Sequence, residues 1–107
     1  LAMLERLDLW LAVAADFAQA RGIPFAFGEG WIGYTPLRSR FEEDDIGASY
    51  IRHAMSRSAE LGAWGSMACS NAAPHHPMWT EDVDLIREAN ALFLEAPTTV
   101  PVVGRST

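Results

Sequence analysis

The residue with the most chemistry around it is Glu29. It stands between Gly28 and Gly30, after the run Ile23-Pro24-Phe25-Ala26-Phe27 and before Trp31. Such a run reads as a strand over 23–29, so the carboxylate falls at its carboxyl end. That is where parallel α/β folds carry out ligand chemistry. The flanking glycines let a ligand or another backbone come close. Alternation puts Phe25, Phe27 and Glu29 on one face, so the carboxylate would be partly desolvated. The plainer alternative is a surface Glu in a loop.

A second constellation lies downstream. Ser70-Asn71 closes a weak strand pattern, and Pro74-His75-His76-Pro77-Met78-Trp79 follows. Small polar side chains, then His75 and Trp79, suit sugar hydroxyls and sugar faces, because an indole offers an apolar plane and one N–H donor. The plain alternative is a Pro-rich loop with Trp79 covering the core. Metal binding is disfavoured, since adjacent His75 and His76 diverge in an extended segment and no third ligand is spaced for zinc. Neither a metal nor an organic cofactor is expected. Cys69 has no accompanying motif and reads as a small apolar residue. His53 sits beside Arg52 and Arg57 in a helical segment and is expected to face solvent.

Gly28-Glu29-Gly30-Trp31-Ile32-Gly33 also satisfies GxGxxG. A dinucleotide loop must open a helix whose amides meet the pyrophosphate. Here the glycines run into Tyr34-Thr35-Pro36, which does not continue as a helix, and Glu29 would oppose phosphate. The nucleotide reading therefore fails its context test.

The elements that position these residues follow from periodicity. Met3, Leu7, Trp10, Leu11, Ala14, Phe17 and Ala18 predict an amphipathic helix over 3–21, stopped by Gly22. An acidic first turn from Glu42 to Asp45, with Ile46, Tyr50, Ala54 and Leu61 as the apolar stripe, predicts a helix over 44–61 that stops at Gly62. A weak strand is predicted over 64–70. Thr80 caps a third helix over 81–96, with Val83, Ile86, Ala89, Asn90 and Phe93 on one face. Residues 98–107 form an irregular tail. Helix, strand, helix, strand, helix is the order of parallel strands with crossovers, and the fold class is α/β. A parallel sheet of two strands cannot shield itself. The chain is thus expected to self-associate or to be cut from a larger fold, a view that its start in mid-helix pattern at Leu1 also favours.

Composition narrows the function. The 107 residues carry 8 Lys+Arg against 14 Asp+Glu, a net charge of −6, which opposes nucleic acid and anionic membrane surfaces. One cysteine excludes an internal disulfide. The longest uncharged run, Leu61 to Thr80, contains Asn71, two prolines and two histidines and does not read as a membrane span. No signal peptide is visible, because Glu5, Arg6 and Asp8 interrupt the apolar start. The compartment stays open.

Phe27-Gly-Glu29-Gly-Trp31 and Trp64-Gly-Ser-Met-Ala-Cys-Ser-Asn71, with a helix between them, resemble the C-terminal part of cellulase-like (β/α)8-barrel glycoside hydrolases of the retaining clan. The resemblance implies a partial barrel. Residues 3–21 would be its sixth helix, 23–29 its seventh strand, 44–61 its seventh helix, 64–70 its eighth strand and 81–96 its closing helix. It implies one C-terminal portion of a catalytic domain over 1–107, with Glu29 as nucleophile and Ser70, Asn71, His75 and Trp79 facing the sugar. Trp31 or Trp79 would stack on the ring. A whole barrel takes about 250 residues, and the clan's acid/base Glu, preceded by Asn, has no match here. Retention needs two carboxyl groups about 5–5.5 Å apart, so the chain alone is expected to be inactive. The alternatives are a carbohydrate-binding module without catalysis and a self-associating α/β interaction module.

Overall fold

A computed structural model describes residues 2–28, 31, 45–68 and 83–97. Three helices and two short strands alternate: α1 (Ala2–Ala20), β1 (Ala26–Phe27), α2 (Asp45–Glu60), β2 (Gly65–Ser66) and α3 (Val83–Glu95). Each helix lies within two residues of its predicted limits. β1 and β2 are parallel neighbours, with Ala26 opposite Gly65 and Phe27 opposite Ser66. The architecture is α/β and mostly helical. Among the described residues, no helix is long and apolar enough to cross a membrane.

Both glycines read as stop signals end their helices by the same device. Gly22 has φ +64° and Gly62 φ +89°, a left-handed backbone that glycine adopts without a Cβ penalty. At the first, the Gly22 N–H bonds to the Gln19 carbonyl and the Ile23 N–H to the Ala18 carbonyl, both at 3.1 Å. At the second, the Gly62 N–H reaches Ala59 and the Ala63 N–H reaches Ser58, both at 3.0 Å. Each pair satisfies carbonyls that the helix end would otherwise leave open.

The strands are shorter than the predicted spans of 23–29 and 64–70. One further bond extends the pairing at each end: the Trp64 N–H to Phe25 O at 2.8 Å and the Met67 N–H to Phe27 O at 3.0 Å. Pro24 brings no N–H, and Gly, Ser and Ala in the second segment have weak strand propensity, so a two-member ladder does not grow.

α2 lies between the other two helices. Leu7, Leu11 and Ala15 of α1 pack with Ala54 and Leu61, and Phe25, Phe27 and Tyr50 close over them. On the other side, Ile51 and Met55 pack with Ala68, Ile86 and Ala89. Burial holds the Tyr50 hydroxyl above its ordinary pKa.

The predicted helix faces need correction. Trp10 and Phe17, expected inward, are 63% and 55% exposed, while Leu7, Leu11, Ala15 and Ala18 are buried. α1 is apolar around most of its girth, so hydrophobicity alone does not choose a face. The close crossing with α2 accepts Leu and Ala, and the larger rings stay outside. In α2 the buried side chains are those of Ile51, Ala54, Met55, Ser58 and Ala59, with Gly47 buried beside them, whereas Ile46 is 50% exposed. In α3, Ile86 and Ala89 are buried as predicted, but Asn90 is exposed.

Candidate functional site

Because the strands are parallel, their carboxyl ends lie side by side. Trp31 sits there. Its indole N–H donates to Ser66 Oγ at 2.9 Å. Its ring lies 5.1 Å from that of Phe27, tilted by 56°. It packs against both halves of the core. Phe27 in turn meets Phe25 edge to face, with centroids 5.8 Å apart. The indole therefore fastens the chain leaving β1 to the end of β2. Its N–H and part of its surface are engaged inside the protein, which leaves only its remaining surface for a sugar.

Ser66 was not singled out from the sequence. The signal was its small polar side chain near a strand end, but the long strand predicted over 64–70 moved that end to Ser70. Among the expected site residues, Glu29, Ser70, Asn71, His75 and Trp79 lie outside the described residues, as do Cys69 and the tail 98–107. Glu29 is bracketed in the chain by two described positions. Phe27 is paired in β1 and Trp31 is bonded to Ser66. Gly28 has open space around the position that a Cβ would take.

Phe25 and Phe27 belong to the helix-side core, so the side chain of Ala26 points to the opposite face of the sheet. Ala26 is exposed. The other face of these two strands is thus lined by small groups and has no described cover.

A polar cluster joins α1 to α2. His53 Nε2 lies 2.6 Å from Asp8 Oδ1. Arg57 Nε is 3.9 Å from the same oxygen, and its Nη1 donates to Glu60 Oε2 at 3.1 Å. His53, expected to face solvent, is only partly exposed: its ring turns to α1, where Asp8 offers an acceptor across the helix crossing. The spacing of His53 and Arg57, four residues apart, was the available signal. This cluster is built as an ion-pair tie between helices. No group of three or more metal-binding side chains occurs among the described residues.

No family model matches the chain, and neither a curated protein nor a solved structure matches it.

Proposed function

We propose that this chain is the closing sector of a (β/α)8 retaining glycoside hydrolase, with Glu29 as the nucleophile. The observation that carries the reading is the adjacency of β1 and β2. They are consecutive in the chain, parallel and paired, and the helix between them packs on both flanking helices. Consecutive units of a barrel are related in this way. The face at Ala26, small and without cover among the described residues, suits a barrel interior to which other strands contribute. Glu29 follows β1 by two residues, at the end where barrel enzymes keep their reactive groups.

In the proposed reaction, a Glu29 carboxylate oxygen bonds to the anomeric carbon as the glycosidic bond breaks. The leaving oxygen takes a proton from a second carboxyl group that this chain does not supply. Water then displaces the enzyme ester and restores the free carboxylate. The geometry sets one condition. Phe25 and Phe27 face the helices, so a Glu29 that continued their alternation would face them too. Gly28 is the position at which the backbone can leave that alternation.

The test uses the complete reading frame that contains this sequence. An aryl glycoside should be hydrolysed with retention. Glu29→Gln should lower turnover by about a thousandfold or more while sugar binding persists. Full turnover by Glu29→Gln, or inversion at the anomeric carbon, would refute the assignment. The second reading, a self-associating interaction module, is favoured by the apolar side chains left exposed on α1.

A further inference from the structure

The carboxyl ends of β1 and β2 share one side chain. Trp31 is half-buried. Among the described residues, it is the one partly buried side chain packed against both core clusters. Its ring meets that of Phe27 at 5.1 Å, and its N–H donates to Ser66 Oγ at 2.9 Å. Phe27 and Ser66 are opposite each other in the ladder, so both members of one rung hold the indole. Phe or Leu would fill the same volume without a polar atom. A half-buried indole needs an acceptor for its N–H, and the directional bond to Ser66 selects one orientation of the ring.

Glu29 precedes Trp31 by two residues and is flanked by Gly28 and Gly30. Glycine backbone is permissive, and Gly28 has open space around it. Local preference therefore does not fix a carboxylate in this sequence, and the constraint has to come from a neighbour. We propose that Trp31 and Ser66 are positioning residues for Glu29: the N–H···Oγ bond anchors the chain beyond Gly30 to β2 and so sets where the carboxylate stands. Trp31 is then not the ring on which a sugar stacks. The inference rests on the glycosidase reading. A nucleophile displaced by about 1 Å can lose about a hundredfold in rate, so one well-directed bond is enough to matter.

The two roles for Trp31 make opposite demands. A stacking platform needs an apolar plane, which Phe also supplies, and it is indifferent to a hydroxyl on β2. A positioning bond needs the indole N–H and the Ser66 oxygen, whether or not either meets the sugar. Loss of a stacking platform weakens binding and raises KM. Loss of the positioning bond leaves binding intact and lowers kcat, because only the attack of the carboxylate suffers.

Steady-state kinetics of the complete reading frame test it, with an aryl glycoside as substrate. Trp31→Phe and Ser66→Ala should each lower kcat about tenfold or more, with KM changed by less than about twofold. The double variant should be no slower than the worse single one, since both remove the same bond. Ser66→Thr, which keeps the hydroxyl, should restore most of the rate. Azide offers a readout that a general loss of structure would move differently. In a Glu29→Ala background, azide attacks the anomeric carbon in place of the carboxylate as the aryl alcohol departs. That turnover should be unchanged by Ser66→Ala, because no carboxylate is left to position. The indole Nε1 proton of Trp31 should also exchange slowly with solvent in the unmodified protein and faster in Ser66→Ala. The proposal is overturned by an unchanged kcat in Ser66→Ala, by independent losses that multiply in the double variant, or by azide turnover that falls in parallel. A raised KM at constant kcat in Trp31→Phe, or a rapidly exchanging indole proton, overturns it as well. Failure of the glycosidase reading looks different: no turnover by the unmodified protein, or full turnover by Glu29→Gln, removes that reading and this role with it.

Discussion

α1 and α2 are helices of similar length with opposite surroundings. α2 is packed on both sides: Ala54 faces the α1 side, and Ile51 and Met55 face the α3 side, each at most 1% exposed. α1 is buried along one stripe, Leu7, Leu11, Ala15 and Ala18, while a second apolar stripe from Leu9 to Phe17 lies open. The more apolar of the two helices is thus the less completely covered. Burial here follows from how many neighbours an element has, and the open stripe marks the side on which α1 has none among the described residues.

Truncations should separate the two stripes most sharply. Leu11→Ala or Ile51→Ala should cost about 2–5 kcal/mol, a transfer loss plus a cavity, and most of the stability of so small a domain. Val13→Ala should change the stability of the dilute monomer by less than about 0.5 kcal/mol. Urea unfolding measures both. Equal losses at positions 11 and 13 would erase the distinction between the buried and the open stripe.

The helix ends allow a finer test. A Cβ at Gly22 meets nothing within 4 Å, yet its φ is +64°. Gly22→Ala should therefore cost about 1 kcal/mol from backbone conformation alone. Gly28→Ala, with equal space and no left-handed backbone, should cost less. Thermal unfolding of the pair would show whether the α1 terminus depends on that turn.

The tie between the helices is weaker. The His53 and Asp8 side chains are 34% and 43% exposed, and solvent screens such pairs. A double-mutant cycle of His53→Ala with Asp8→Ala should give a coupling below about 1 kcal/mol. A larger coupling would mean that the polar contact, and not Leu7 and Leu11, holds α1 to α2.

The smallest effect concerns Tyr50. Burial raises its pKa above the ordinary 10.0, because the ionised form loses water. The unfolded chain releases this proton first as the pH climbs. The contribution is complete below the unfolded value and is lost as pH rises through the folded one. Stability should decline above pH 10 with a component that Tyr50→Phe removes. Spectrophotometric titration of the phenolate absorbance checks the direction.

Much of the scaffold was legible because its signals are local. Gly22 and Gly62 stop their helices by backbone conformation, and the Ile86–Ala89–Phe93 spacing announces the third, whose expected cap Thr80 lies outside the described residues. Parallel pairing was legible from element order. The strand lengths were not, since a ladder extends only as far as its partner does. The face of α1 was not, since two apolar stripes satisfy the same periodicity. The candidate site was legible only as composition: a carboxylate flanked by glycines after a strand. What Trp31 does with its N–H depended on Ser66, thirty-five residues away.

The sequence by itself determined where the helices run and stop and that the strands are parallel. Those outcomes depend on residues within a few positions of one another. Only the tertiary structure decided that Leu11 is buried and Val13 exposed, that His53 turns to Asp8, and that Trp31 fastens one strand end to the other. Each of those is a choice between chemically similar options, and it is made by the atoms that a distant part of the chain brings alongside.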